Sequence, residues 1–143
     1  MDNIDYQILE LLKSNSRMTS SDISKYIHLS VPSVAERIRK LEKNGVIEQF
    51  TVKLNRKAMG QNCVIYIFVQ LHGSADTQHF RTTMIESPHV IECSHTSGEY
   101  DYLLKVALPD LSEVEGFITN TLKAHHHVVR SNTVFILSTL KEE

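Results

Sequence analysis

Apolar residues recur at helical spacing over residues 1–45 and at strand spacing over much of the remainder. Ile4, Ile8, Leu11 and Leu12 mark one face of an amphipathic helix from about Asp2 to Ser14, which Asn15-Ser16 ends. Thr19 opens a second helix. Asp22 stands three residues on as its capping partner, and Ile23, Tyr26 and Ile27 form its buried face. After only His28 and Leu29, Ser30 caps a third helix whose stripe is Val34, Ile38 and Leu41. Pro32 falls in its first turn, where a missing N–H costs nothing, and the Ser30 hydroxyl is placed to accept from the N–H of Ser33. Asn44-Gly45 is the stop, because Gly45 takes a positive φ without a Cβ penalty. Val46 to Val52 then alternates and predicts a strand.

Beyond a polar stretch ending at Gly60-Gln61-Asn62, the run CVIYIFVQL (Cys63–Leu71) reads as a strand that is apolar on both faces. Asp76–Glu86 follows as a helix with Phe80, Met84 and Ile85, then Val90–Ser97 as a strand and Gly98-Glu99-Tyr100-Asp101 as a turn. Tyr102–Leu108 is a third strand, closed by Pro109. Asp110–Leu122 is a helix with Leu111, Val114, Phe117, Ile118 and Leu122 on one side, and Val128–Thr139 is a long final strand. The order β-α-β-β-α-β predicts a ferredoxin-like domain with both helices on one face of a four-stranded antiparallel sheet. Nothing else in the chain covers the opposite face. A second copy would bury it, so a homodimer is expected. The fold class is α+β, divided into a helical domain over 1–50, a linker over 51–62 and a second domain over 63–143.

Two short helices joined by a tight turn, with a third before them, form a helix-turn-helix, whose second helix enters the major groove of double-stranded DNA. Charge supports that reading. Residues 1–60 hold ten Lys and Arg against seven Asp and Glu, a balance of +3, while residues 61–143 hold five against ten, a balance of −5. Ser30, Ser33, Glu36, Arg37, Arg39, Lys40 and Lys43 lie off the apolar stripe and are the candidate DNA contacts. Arg37, one turn beyond Ser33, is the candidate base reader, with phosphate contact as its alternative. Lys40 and Lys43 suit phosphate neutralisation. His28 occupies the turn position that usually holds glycine, and histidine tolerates a left-handed backbone better than most residues.

The opening MDNIDYQ carries no secretory signal, and Cys63–Val69, the longest apolar run, is far too short to span a bilayer. Cys63 and Cys93 show no CxxC-type spacing and read as free buried thiols. A soluble cytoplasmic protein is expected.

Three segments carry a resemblance: DNIDYQILELL, then HLSVPSVAERIRKLEKNGVIEQF, and SGEYDYLLKV. In this order and spacing the chain resembles the Lrp/AsnC family, the leucine-responsive and asparagine-operon regulators. The match spans nearly the whole chain. The resemblance implies a winged helix-turn-helix followed by a RAM-type effector and oligomerisation domain. It further implies a nucleoid-associated transcriptional regulator that forms dimers and higher oligomers up to the octamer. Many such regulators respond to an amino acid held between dimers; no other cofactor is implied. By motif match Gly98, Glu99, Tyr100 and Asp101 are the candidate ligand residues. Ser131 and Thr133 on the last strand are a looser match to the family's hydroxyl residues. Ser97 stands where Thr is commoner.

Other chemistries weigh less. His125-His126-His127 invites a metal, but consecutive residues on a strand or loop alternate direction and no helical i, i+4 His pair accompanies them. A polar turn is the expectation there. His95, Asp101 and Cys93 come with no nucleophile motif, phosphate loop or paired carboxylates, so no enzyme is expected. An architectural protein that bends or wraps DNA without an effector is the alternative function.

Overall fold

The computed structural model describes residues 1–124 and 126–142. It separates into two compact units, Met1–Lys53 and Leu54–Glu143. The first holds α1 (Asn3–Ser14), α2 (Ser20–Ile27) and α3 (Val31–Lys43). Each helix starts on a side-chain cap. Asp2 and Asp5 form a reciprocal capping box on α1, Thr19 and Asp22 another on α2, and Ser30 accepts from the Ser33 N–H on α3. His28 ends α2 at φ 54°, in the left-handed region, and Gly45 follows α3 at φ 69°. The stripes converge on one core of Ile8, Leu12, Ile23, Val34 and Leu41, whereas Tyr26, expected on the buried face of α2, is exposed.

The strand expected over Val46–Val52 is not formed. The N–H groups of Val46 and Ile47 both go to the Leu41 carbonyl, at 2.9 and 3.1 Å, and so finish α3. Ile47 turns into the helical core. Alternation alone makes no ladder when the amides at its start are spent on a helix end.

In the second unit β1 (Cys63–Leu71), α4 (Thr77–Glu86), β2 (Val90–His95), β3 (Tyr102–Leu108), α5 (Ser112–Gly116) and β4 (Val128–Phe135) give the expected order, with strands arranged β2-β3-β1-β4, all antiparallel. Three boundaries differ from the expectation. β2 ends at His95, where the Gly98–Asp101 turn draws the chain off the ladder, and β4 ends at Phe135 rather than Thr139. The second helix begins at Ser112 and continues from Phe117 to Lys123 in π winding, which keeps Phe117 and Leu122 buried.

Ile65, Ile67, Val69, Leu104 and Val106 pack under Phe80, Met84, Val114, Phe117 and Leu122. On the other face β1 presents Tyr66 and Phe68, which pair with Lys105 and Leu103 of β3 and with Val134 and Asn132 of β4. Tyr66 and Phe68 are only half-buried and Val134 is exposed. Among the described residues no helix is long and apolar enough to cross a membrane.

Candidate functional site

Within the helical unit, Ser30, Ser33, Glu36, Arg39, Lys40 and Lys43 all reach solvent. Ser30 and Ser33 join their hydroxyls at 2.7 Å at the head of α3. Glu36 receives the fork of Arg39, Nε at 2.8 Å and Nη2 at 2.7 Å, with Lys40 Nζ at 3.8 Å. Those donors hold its carboxyl below the usual range. Lys43 is exposed in the last turn. A groove of about 640 Å³ runs beside this helix, lined among others by Asp5, Ser33, Glu36, Arg37 and Lys40.

Arg37 stands apart from the outward set. Its Nη1 donates to Asp2 Oδ2 at 2.8 Å and to Asp5 Oδ1 at 2.7 Å. The other two carboxylate oxygens accept the N–H groups of the capping box, so all four are engaged. Both carboxyls are held below their ordinary value, first by the capping amide and next by Arg37. Val34, Arg37 and Leu41 follow i, i+3, i+7 spacing, which sets Arg37 on the border of the buried stripe, facing α1. That spacing was the signal in the sequence; the partners, more than thirty residues away, were not.

In the second unit the turn Gly98–Asp101 is closed from within. The Thr96 N–H donates to the Asp101 carbonyl at 2.8 Å and the Thr96 hydroxyl to the Tyr100 carbonyl at 2.6 Å. Asp101 donates its own N–H to Val69 O at 2.8 Å and accepts the Leu71 N–H on Oδ2 at 2.7 Å. Gly98 is exposed, with open space where a Cβ would stand. Tyr100 packs on Phe68 with ring centroids 5.5 Å apart, and Glu99 pairs with Arg130, whose guanidinium lies 4.9 Å from the Tyr100 ring centre. Arg130 was absent from the sequence candidates. Ser131 and Thr133 pair with Val69 and Ile67, so they belong to the helix-covered face, opposite to Phe68. The structure thus brings Glu99, Tyr100 and Asp101 together and sets the two hydroxyls across the sheet.

His125 lies outside the described residues. His126 is buried against Phe80 and 4.9 Å from the His79 ring, so this stretch is not simply a polar turn. Among the described residues no three His, Cys, Asp or Glu side chains converge as a metal site. Cys63 and Cys93 are free thiols, both pushed up by burial.

A capped helix-turn-helix with a cationic outer helix, in one chain with a βαββαβ sheet, defines a DNA-binding protein with a second, ferredoxin-like domain. Residues 1–48 match the winged helix-turn-helix DNA-binding family, and residues 62–143 match the Lrp/AsnC ligand binding domain. The HTH-type transcriptional regulator LrpC of Bacillus subtilis (strain 168) is 35% identical over 123 residues, covering 85% of this chain and 83% of its own. The leucine-responsive regulatory protein of Escherichia coli (strain K12) is 30% identical over 144 residues, covering 99% and 88%. The transcriptional regulator NMB0573 of Neisseria meningitidis, solved as a complex with L-Met, superposes with a TM-score of 0.92 at 28% identity, over 99% of this chain and 93% of that one. The chain belongs to the Lrp/AsnC family. It is a DNA-binding transcriptional regulator of that type, carrying the family's ligand-binding domain.

Proposed function

We propose that this regulator binds double-stranded DNA as a homodimer and that an α-amino acid modulates it from the Gly98–Asp101 turn. Residues 1–50 serve as the DNA-binding domain, 51–62 as linker and 63–143 as effector and oligomerisation domain, in a cytoplasmic, nucleoid-associated protein without enzymatic activity. The observation that carries the DNA half is the outward set on α3. Arg39, Lys40 and Lys43 supply positive charge, and Ser30 and Ser33 supply hydroxyls at the end of the helix that enters the groove. Arg37, committed to Asp2 and Asp5, supports these residues from behind. Only its Nε and Nη2 remain to reach a base. The amino-acid half is supported by the family's ligand-binding domain and by the L-Met complex of the Neisseria meningitidis protein.

The half-exposed apolar sheet face, with Tyr66, Phe68 and Leu103, supports pairing of two sheets, and dimers can then join into octamers. Two recognition helices in a two-fold dimer read an imperfect palindrome, with half-sites one helical turn or a multiple of it apart. The test is selection from a randomised duplex library followed by gel shift, with and without each standard amino acid. A recovered palindrome whose affinity changes with one amino acid is the expected result. Tight binding to every sequence, unchanged by any amino acid, favours the architectural alternative.

A further inference from the structure

An α-amino acid is a zwitterion, and a site that holds it by charge needs one anionic and one cationic group. The Gly98–Asp101 turn by itself offers carboxylates alone, and one of them is committed, since Asp101 Oδ2 accepts the Leu71 N–H. Glu99 is the exposed carboxylate of the turn. The missing cation is supplied by β4. Arg130 pairs with Gln70 of β1 in the ladder, two residues from Phe68, and reaches back to Glu99 across the Tyr100 ring. Phe68 backs that ring from the sheet.

We propose that Glu99 and Arg130 are the two charged poles of the effector site. The incoming amino acid separates them: its α-carboxylate takes the Arg130 guanidinium, its α-ammonium takes Glu99, and its side chain lies against the Tyr100–Phe68 pair. The inference rests on the reading of this turn as the effector site. Four features favour it. Guanidinium and carboxylate match as planar forks, so a carboxylate ligand replaces the Glu99 carboxylate in kind. Both partners are solvent-exposed, with side chains 48% and 69% accessible, and an exposed ion pair holds its members weakly enough to open. The Tyr100 ring holds the guanidinium by cation–π contact when Glu99 leaves. Gly98, with open space around it, leaves the approach clear. An apolar or aromatic side chain suits the Tyr100–Phe68 surface better than a charged one.

The experiment is calorimetric titration of the full chain with each of the twenty standard L-amino acids. The best binder is then compared with its carboxamide and its des-amino analogue. Wild type should lose at least tenfold on either analogue. Arg130→Met should bind the acid at least tenfold more weakly than wild type and no longer distinguish acid from carboxamide. Glu99→Gln should likewise stop distinguishing the amino acid from its des-amino analogue. Melting curves establish that both variants are folded, and the analogue arms on wild type need no variant at all. An Arg130→Met chain that still prefers acid over amide by the wild-type factor overturns the inference alone, as does a wild type indifferent to both analogues. A wild type that binds none of the twenty overturns the effector-site reading, and this inference with it.

Discussion

Arg37 of the third helix donates to Asp5 of the first at 2.7 Å, joining residues 32 positions apart. The same nitrogen serves Asp2, and both carboxylates also close the capping box of α1. One guanidinium therefore fixes the start of α1 against the flank of α3, the proposed DNA-reading helix. With two carboxylates around it, that locus has a net negative charge, which disfavours a DNA phosphate there. The phosphate-facing role is therefore proposed for Arg39, Lys40 and Lys43.

The clamp has a pH signature. Asp2 and Asp5 titrate below their ordinary value of 3.8 in the folded protein. A depressed carboxyl contributes stability that is present above the unfolded value and lost as pH falls through the folded one. Arg37→Met should therefore lower the urea midpoint at pH 7, and its gap to wild type should narrow below about pH 3.8. Urea unfolding at intervals from pH 7 to pH 2 measures this. A gap that stays constant over that range means the loss is packing and not charge.

DNA binding should separate Arg37 from the outward lysines. Lys43→Ala should weaken all sequences alike and reduce the slope of log affinity against log salt by about 0.9 per protomer. Arg37→Met should weaken all sequences by one common factor and leave that slope nearly unchanged, since it acts through the pose of α3. Titrations of the selected site and of single-base variants, at several salt concentrations, read both. If Arg37→Met erases the preference at one base pair and leaves the others, Arg37 reads a base through its free edge and the clamp is secondary.

The helix starts can be tested one at a time. Ser30→Ala removes the α3 cap and should cost about 0.5–1 kcal/mol, the low part of the usual range, because the Ser33 N–H stands 3.3 Å from the hydroxyl. His28→Gly should change stability by less than about 1 kcal/mol, because relief of the left-handed backbone is offset by the entropy of ordering a glycine. Thermal or urea unfolding reports both. A large loss in His28→Gly would show that the imidazole itself holds the turn.

What could be read in advance depended on how local each interaction is. The caps Thr19–Asp22 and Ser30–Ser33, the stop at Gly45 and the left-handed His28 all lie within three residues of their partners, and each is found where the sequence places it. CVIYIFVQL is the strand its β-branched and aromatic content predicts, but it is apolar on both faces, so that Ile65, Ile67 and Val69 turn toward the helices is set by the fold and not by the pattern. Val46–Val52 alternates and yet forms no strand, because its first two amides satisfy the end of α3. Arg37 with Asp2 and Asp5, and Arg130 with Glu99, join residues about thirty positions apart, and nothing in a one-dimensional pattern pairs them. Ser131 and Thr133 are separated from the turn by the two-residue period of β4, which faces them toward Val69 and Ile67.

The open sheet face should govern assembly. Tyr66→Glu places a carboxylate in the row beside Lys105 and Val134, on a surface that sheet pairing would remove from water. At micromolar concentration the wild type should sediment as a dimer or larger and the variant as a monomer with an unchanged circular dichroism spectrum. A Tyr66→Glu chain that keeps the wild-type mass places the dimer contact elsewhere.

Asp101 allows a sharper test than simple removal. Its carboxylate is an acceptor for the Leu71 N–H, and its backbone N–H ties the turn to Val69, so this residue shapes the turn whatever else it does. Asp101→Ala leaves the half-buried Leu71 N–H without its charged acceptor, at a cost of about 1–3 kcal/mol. Asp101→Asn keeps an acceptor oxygen of the same reach and removes only the charge, so it should recover at least half of that loss. The two variants separate structure from ligand electrostatics. If Asp101 acts through the shape of the turn, Asp101→Asn should bind the effector amino acid within about threefold of wild type, a difference below 1 kcal/mol. Asp101→Ala should lose binding together with stability. If Asp101 holds the α-ammonium group directly, Asp101→Asn should lose binding by tenfold or more while still recovering at least half of the stability that Asp101→Ala loses. The geometry, with one carboxylate oxygen committed at 2.7 Å, predicts the first outcome. Calorimetric titration alongside urea unfolding on the same three proteins decides between them.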